Sequence, residues 1–347
     1  MIERIKYYYG RCKDRLNEHH VLSCVKRDCL RDDTVLLLGT PIHGNLGDQA
    51  ITLAELEFFN NCGYRVAEIP SQWVVQHLEK WKALFSGKRL YVHGGGFIGS
   101  LWPEEEKMLE TVIENFPDSE IVILPQTVYF DKVDDRVTFL NELLGKHGRV
   151  TLCARENYSF EFAVQYLNNA NVLLVPDMVL SADWSNGRVQ SRETALFCMR
   201  SDLEKTISKD TVATLESLVK THFPSAKIVY TDTTVDKMVY PAERKKALKR
   251  KLAEFASAQV VVTDRLHGMV LSAMTDTPTL VFSNCNYKVK GIYDWISGNS
   301  FIQYCDNPAN AEQQISVLET CHECHYSHDE AIKAFKPLTE IVGKYHG

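Results

Sequence analysis

A permanent cation and a titratable imidazole stand two residues apart in Val260-Val-Val-Thr-Asp264-Arg265-Leu266-His267-Gly268-Met-Val-Leu-Ser-Ala. The segment reads as an apolar strand that passes through a short polar turn into a helix. Open α/β sheets bind ligands at such strand ends, and the outward N–H groups of a helix start favour anions. Arg265 can grip a carboxylate or phosphate with two parallel hydrogen bonds, and His267 can give or take a proton near neutral pH. That is chemistry for an anionic small molecule. The same residues also fit a plainer reading, with Asp264 as a turn or capping residue and both basic groups on a solvated loop.

Two glycine-rich stretches add to the chemical inventory. One is Gly39-Thr-Pro-Ile-His43-Gly44-Asn45-Leu46-Gly47-Asp48-Gln49-Ala50-Ile51, and the other is Val92-His93-Gly94-Gly95-Gly96-Phe97-Ile98-Gly99. Glycine permits positive φ and close backbone approach, so both loops can present N–H groups to an oxyanion or a sugar hydroxyl. Neither carries the Gly-Lys-Ser/Thr of a nucleotide-binding P-loop, and neither has a dinucleotide fingerprint with its acidic partner. Each alone reads equally well as a tight strand-to-helix turn. Both at equivalent strand ends, with Asn45 and Asp48 beside them, point to a ligand site.

These residues need elements to hold them. Short β-rich apolar runs at 34–39, 64–69, 89–93, 120–124, 150–154 and 172–175 alternate with helical patterns at 49–61, 71–85, 103–116, 134–147 and 157–168. Continuous apolar strands separated by helices imply a mainly parallel sheet covered on both faces. The pattern lapses at 181–192 and then restarts. Strands follow at 195–200, 226–231, 259–263 and 279–282, with helices at 211–223, at 241–256 and from 268. The expectation is an α/β protein of two Rossmann-like domains, 1–184 with an N-terminal helix and 185–347 with a C-terminal helical segment. Their strand ends would face one another across a cleft.

At 347 residues the chain exceeds the usual single-domain range, which agrees with two domains. Its 45% hydrophobic and 24% charged content is that of a soluble globular protein. A net charge of −6 leaves no nucleic-acid footprint. No apolar run approaches the roughly 20 residues that span a bilayer, and the first residues lack a signal-peptide core, so a cytoplasmic location is expected. The ten cysteines are scattered and read as thiols. Cys321-His-Glu-Cys324-His325 matches a haem-attachment pattern, but haem attachment usually needs export. With His328 these residues make only half a metal site. Coincidence is the better reading. Residues 1–31 hold eight Lys or Arg against four acids, with Ile2, Ile5, Tyr9, Cys12 and Leu16 at helical spacing, and a second basic run spans Arg244 to Lys251. These fit a docking helix and a solvated helix face. The alternative is transient contact with the anionic inner face of a membrane.

Five motifs then occur in a fixed order: Gly44-Asn-Leu-Gly-Asp48-Gln-Ala-Ile, His93-Gly-Gly-Gly-Phe, Pro125-Gln126-Thr127, Ala154-Arg155-Glu156 and Asp264-Arg265-Leu266-His267-Gly268. Together they make the chain, from about Val35 to Trp295, resemble the polysaccharide pyruvyl transferase family. The resemblance implies a glycosyltransferase-B-like pair of domains. It also implies transfer of a pyruvyl group from phosphoenolpyruvate to a sugar, leaving a cyclic ketal and releasing phosphate, in bacterial surface-polysaccharide assembly. It assigns functional roles to Asp48, Arg155, Arg265 and His267. Gly44, Asn45, Gly47, His93, Gly94, Gly95, Gly96, Gln126, Asp264, Leu266 and Gly268 are the candidate donor- and acceptor-binding positions. Glu156 departs from the family pattern, in which an Asp commonly follows the arginine, and this affects the local hydrogen bonding.

The residue chemistry agrees. Phosphoenolpyruvate carries a carboxylate and a phosphate, and Arg155 and Arg265 from opposite domains can supply two bidentate grips. A His can protonate the enol methylene while a carboxylate orients the attacking hydroxyl. No metal or cofactor is called for; phosphoenolpyruvate is a substrate. The acceptor could be galactose, mannose or an N-acetylhexosamine, free in a glycan, on a nucleotide or in a lipid-diphosphate-linked oligosaccharide. Two rival readings share the architecture: a nucleotide-sugar glycosyltransferase and a non-catalytic glycan-binding protein.

Overall fold

Two parallel sheets of short strands, buried at their centres and partly exposed at edge strands such as Asn171–Leu174 and Lys227–Thr231, organise the chain. The computed structural model describes residues 2–184, 191–200, 206–283, 287–321 and 323–344. After helix α1 (Ile2–Asp28), the first body runs β1 (Thr34–Thr40), α2 (Leu46–Asn61), β2 (Arg65–Pro70), α3 (Ser71–Gln76), α4 (Leu78–Phe85) and β3 (Leu90–Val92). It continues through β4 (Gly95–Gly99), α5 (Pro103–Asn115), β5 (Ile121–Tyr129), α6 (Asp135–His147), β6 (Val150–Ala154), α7 (Asn157–Tyr166) and β7 (Asn171–Leu174). A 3-10 turn, Met178–Ser181, leads out.

The second body comprises β8 (Thr194–Cys198), α8 (Lys209–His222), β9 (Lys227–Thr231), α9 (Pro241–Ala256), β10 (Ala258–Thr263), α10 (Leu266–Met274) and β11 (Thr279–Phe282). It closes with α11 (Lys288–Ile296), β12 (Ile302–Cys305) and α12 (Ala311–Glu319), before α13 (His328–Lys333) and α14 (Lys336–Val342).

Strand order is β2-β1-β3-β5-β6-β7 in the first sheet, with β4 also on β5, and β12-β11-β10-β8-β9 in the second. Both orders reverse direction once, between β1 and β3 and between β8 and β10. Connections on either side of such a reversal leave to opposite faces, so a crevice opens at the strand ends. The fold is glycosyltransferase-B-like: two Rossmann-like bodies whose crevices face each other. One apolar cluster joins them, from Leu37 and Val122 through Met178 and Val179 to Met269 and Val281.

Several local expectations change. The second glycine-rich stretch is not a loop throughout, because Gly95–Gly99 forms β4, with Gly95 opposite Gln126 and Gly99 opposite Tyr129. Gly99 sits at φ 128°, and a Cβ there would lie 1.8 Å from the Tyr129 carbonyl, so only glycine allows this pairing. The helix expected over 71–85 breaks at His77 into α3 and α4. β12 was not anticipated.

The basic run also reads differently once folded. Arg244 and Lys251 are buried on the inward face of α9, four and three residues from buried Leu248, while Lys245, Lys246, Lys249 and Arg250 stay exposed. Helix α1 docks through Val21 and Val25, with Cys29 just beyond its end. Leu16, expected on the docking face, is 73% exposed and Cys12 is exposed. The side chains of Ile2, Ile5 and Tyr9 lie outside the described residues, as does half of the linker expected at 181–192. All nine described cysteines are free, and the Cys321 and Cys324 sulfurs lie 3.8 Å apart. No described helix is long and apolar enough to cross a membrane.

The chain end crosses back onto the first body. Phe335 packs beside Phe58, Tyr64 donates to the Val342 carbonyl (3.4 Å), and Arg89 donates to the Ile341 carbonyl (2.7 Å). A second seam runs between the β1–α2 loop and residues 233–239. There Leu46 N–H donates to Thr233 O (2.8 Å), Val235 N–H to Gly44 O (2.9 Å) and Val239 N–H to Ile42 O (2.9 Å). Gln49 completes the seam. Its amide donates to the carbonyls of Pro41, His43 and Val239, and its oxygen accepts from Arg244, which also pairs with Glu68 at 2.8 Å. The two bodies are thereby bolted together beside the cleft.

Candidate active site

The two facing helix starts set the site. Helix α2 begins at Asn45, whose side-chain oxygen caps the Gly47 N–H (3.0 Å). Helix α10 begins at Arg265, whose own N–H is held by Thr263 Oγ1 (3.0 Å). A Cβ on Gly47 would lie 2.2 Å from His267 Nδ1, so the missing side chain is what lets the imidazole settle on the first turn of α2. Two N-terminal dipole ends therefore converge on one spot, which favours negative charge there.

From His267 the contacts lead across the cleft. Its Nε2 is 3.6 Å from Asp177 Oδ2 and, although buried, has no hydrogen-bond partner among the described residues. At that separation the pair is an electrostatic contact and not a hydrogen bond. The same Asp177 oxygen accepts from Arg155 Nη1 at 2.7 Å, and its other oxygen caps Val179 N–H at 3.0 Å. Arg155 Nε donates to Thr127 Oγ1 at 2.8 Å. Its remaining terminus, Nη2, lies against Gly96, 3.0 Å from where a Cβ would stand, and makes no hydrogen bond among the described residues. Burial by itself would push the Asp177 carboxyl up. The His267 ring, the Arg155 guanidinium and the Val179 N–H outweigh that and hold it well below the usual carboxylate range. Asp177 is thus a permanent anion between two basic groups from opposite bodies.

Arg265 turns to the flank, where Nη2 donates to Asp232 at 2.7 Å. Asp264 is wholly buried. One oxygen accepts from Arg200 N–H at 2.8 Å, and the other has no hydrogen-bond partner among the described residues. Burial raises the Asp264 carboxyl against the pull of Arg200 and Arg265. Buried polar atoms are nearly always satisfied, so the orphaned imidazole nitrogen of His267 and carboxylate oxygen of Asp264 are unusual, although Thr40, Glu106, Arg244 and Gln314 also carry such atoms.

The structure separates the other sequence-singled residues by role. Asp48, on the first turn of α2, is partly exposed and sits 3.7 Å from His43. Gly44 and Asn45 belong to the inter-body seam: a Cβ on Gly44 would meet Val235 O at 1.9 Å, and Asn45 bridges Thr234. His93, Gly94 and Gln126 form a buried layer behind the site. Glu55 holds His93 Nδ1 (2.8 Å) and Gly94 N–H (2.7 Å), while Gln126 donates to His93 O (2.8 Å) and accepts from Phe97 N–H (3.4 Å). Leu266 is core, and a Cβ on Gly268 would meet Thr263 Oγ1 at 2.3 Å. Glu156 is buried under Gly291 of α11. It accepts from the Ser159 hydroxyl and, at 3.5 Å, from Thr127, and burial pushes its carboxyl up to about 7. A separate hollow of about 210 Å³, lined by Trp184, Tyr326 and His328 among others, includes none of these strand-end residues.

Sequence reasoning missed Asp177, Arg200, Asp232 and Glu55. The first three carried a usable signal, because each stands within three residues of the carboxyl end of a parallel strand (β7, β8 and β9). Glu55 lies in mid-helix and offered none.

The family model described as polysaccharide pyruvyl transferase matches residues 45–286. The chain belongs to this family. General stress protein 30 of Bacillus subtilis (strain 168) is 31% identical over 315 residues, covering 88% of this chain and 90% of that protein. Pyruvyl transferase 1 of Schizosaccharomyces pombe is 28% identical over 322 residues, covering 84% and 77%. Among solved structures, the functionally uncharacterized Klebsiella pneumoniae protein KP1_0663 superposes with a TM-score of 0.56 at 21% identity, over 83% of this chain and 98% of that one, a likeness of fold. The family match spans Gly47, Arg155, Asp177 and His267, the residues that meet across the cleft.

Proposed function

We propose that this protein transfers the pyruvyl group of phosphoenolpyruvate to two hydroxyls of a sugar, closing a pyruvate ketal on a surface-polysaccharide precursor. The observation that carries the reading is the run of contacts Gly47–His267–Asp177–Arg155. It sets an acid, a fixed anion and a cation around the point where two helix N-termini converge.

The helix starts, Arg155 Nη2 and Arg265 favour the donor's carboxylate and phosphate. Nε2 of protonated His267 delivers its proton to the methylene carbon, which becomes a methyl group. The adjacent carbon turns electron-poor and takes the first sugar hydroxyl. Expulsion of phosphate as the second hydroxyl adds completes the ketal, and the two hydroxyl protons reprotonate His267 and leave with phosphate or solvent. Asp177 serves as counter-ion to the imidazolium and to positive charge developing at the reacting carbon. An acceptor carried on a lipid diphosphate would also bring the exposed lysines of α9 to an anionic surface.

The test is turnover by His267→Ala, with the wild-type reaction run in D₂O. Loss of a positioned acid should lower kcat by on the order of 10²–10⁴-fold. The ketal methyl formed by the wild-type enzyme should carry deuterium, and inorganic phosphate should be released. A His267→Ala protein with near-normal turnover removes the acid assignment. Release of a nucleotide instead of phosphate replaces the reading with glycosyl transfer.

A further inference from the structure

Beside Arg155 lies an aromatic surface that the transfer chemistry does not use. Tyr158, in the first turn of α7, stays 54% exposed even though its ring stacks on Tyr287 of the second body, with centroids 3.4 Å apart and planes 11° from parallel. Tyr129, the last residue of β5, approaches Tyr287 at 5.9 Å and 60°. Trp102, 48% exposed, stands in the β4–α5 connection. That connection is tied to the same rim, since Ser100 N–H donates to Tyr129 O (2.9 Å) and Ser100 Oγ accepts from Asp131 N–H (3.1 Å). Large rings gathered in the open at strand ends expose apolar area that folding would otherwise bury, and such patches mark ligand or partner sites.

The position and chemistry narrow the ligand. Tyr129 is two residues beyond Thr127 and Tyr158 three beyond Arg155, while Trp295 of α11 donates to the Arg155 carbonyl at 2.8 Å. The rim is therefore continuous with the reacting groups. Asp131, whose N–H donates to Ser100 Oγ, is an exposed carboxylate two residues beyond Tyr129. That charge disfavours a second phosphate or an anionic headgroup. A flat ring with one open face beside a carboxylate suits a neutral polyhydroxylated ring, whose C–H bonds lie on the aromatic face while its hydroxyls donate to the carboxylate.

We propose that Tyr158, backed by Tyr287, is the platform for a hexopyranose of the acceptor glycan, with Asp131 accepting from its hydroxyls. The proposal rests on the pyruvyl-transfer reading and names the substrate class for that site. Because one ring comes from each body, the platform exists only when the two bodies are joined.

Saturation-transfer NMR and titration need no donor. The probes are the methyl glycosides of β-galactose, α-mannose and β-N-acetylglucosamine, each with wild type, Tyr158→Ala, Tyr158→Phe and Asp131→Asn. Wild type should transfer saturation to the ring C–H protons of at least one glycoside. Tyr158→Ala should bind it about tenfold more weakly, consistent with the usual worth of an aromatic contact, while Tyr158→Phe should bind like wild type. In turnover, Tyr158→Ala should raise acceptor KM and leave phosphoenolpyruvate KM unchanged. A wild type that binds none of the three glycosides, or a Tyr158→Ala protein that binds as well as wild type, overturns the platform. Glycoside binding intact in a protein that never releases phosphate from phosphoenolpyruvate leaves the platform standing and removes the transfer reading.

Discussion

Replacing Asp177 by Asn keeps shape and volume and removes one charge from the centre of the site. Asp177 is fully buried, 2.7 Å from Arg155 Nη1 and 3.6 Å from His267 Nε2. At an effective dielectric of about 20, the Coulomb attraction before desolvation is counted is roughly 6 kcal/mol for the Arg155 contact and, with the imidazole protonated, roughly 5 kcal/mol for the His267 contact. The asparagine cannot satisfy both old partners. If its oxygen keeps the Val179 N–H, its amide turns toward Arg155, donor against donor. Breaking a buried pair from one side typically destabilises by about 3–5 kcal/mol. The loss of counter-ion for the imidazolium should cut kcat by on the order of 10²-fold or more, within the range for a disabled acid. Two assays check this: urea unfolding followed by circular dichroism, and phosphate release across neutral pH. The sign of the pH dependence is fixed by the direction of the carboxyl shift. Asp177 is held below its unfolded value, so its stabilising contribution is complete above the ordinary carboxylate pKa and disappears as pH falls through the lowered one. The stability gap between wild type and Asp177→Asn should thus be constant at neutral pH and close in acid. A variant with near-wild-type kcat, or a gap that widens in acid, would refute the reasoning.

Two further perturbations separate geometry from charge. Gly47→Ala would place a Cβ 2.2 Å from His267 Nδ1 and 2.9 Å from its Cβ, so the imidazole must move. Since a displacement of about 1 Å can cost on the order of 10²-fold in rate, kcat should fall steeply, and because the clash reaches the His267 Cβ the melting temperature should fall as well; unchanged kcat would show that His267 is not held against α2. Glu156→Gln should act on stability through pH. The buried carboxyl is raised from 4.5 to about 7, so wild type is most stable below the unfolded value and loses up to about 3 kcal/mol as pH rises through the folded one. The glutamine protein should lack that decline, and its melting temperature should exceed that of wild type above neutrality. A parallel decline in both proteins would assign the effect to another group.

The local sequence determined what short-range chemistry can determine. Apolar runs of strand length alternating with helical periodicity specified two parallel sheets. Asn45 and the Arg265 turn marked the helix starts, and the ordered motifs placed Arg155 and His267 at strand ends. The glycines at 44, 47 and 96 were visible as loop residues, but the neighbours that require them were not, because those neighbours are Val235, His267 and Arg155, two of them in the other body. The inward turn of Arg244 and Lys251 was written in their spacing with Leu248, yet charge argued for a solvated face until Gln49, Glu68, Thr231 and Glu254 supplied partners. Asp177 shows the limit most clearly. It is 22 residues from Arg155 in sequence and far from His267, and its role exists only where the ends of two sheets meet. Helix and strand patterns report which face of an element is apolar, whereas the distance between two polar groups on different sheets is set by how the sheets pack. Only the tertiary structure decides that.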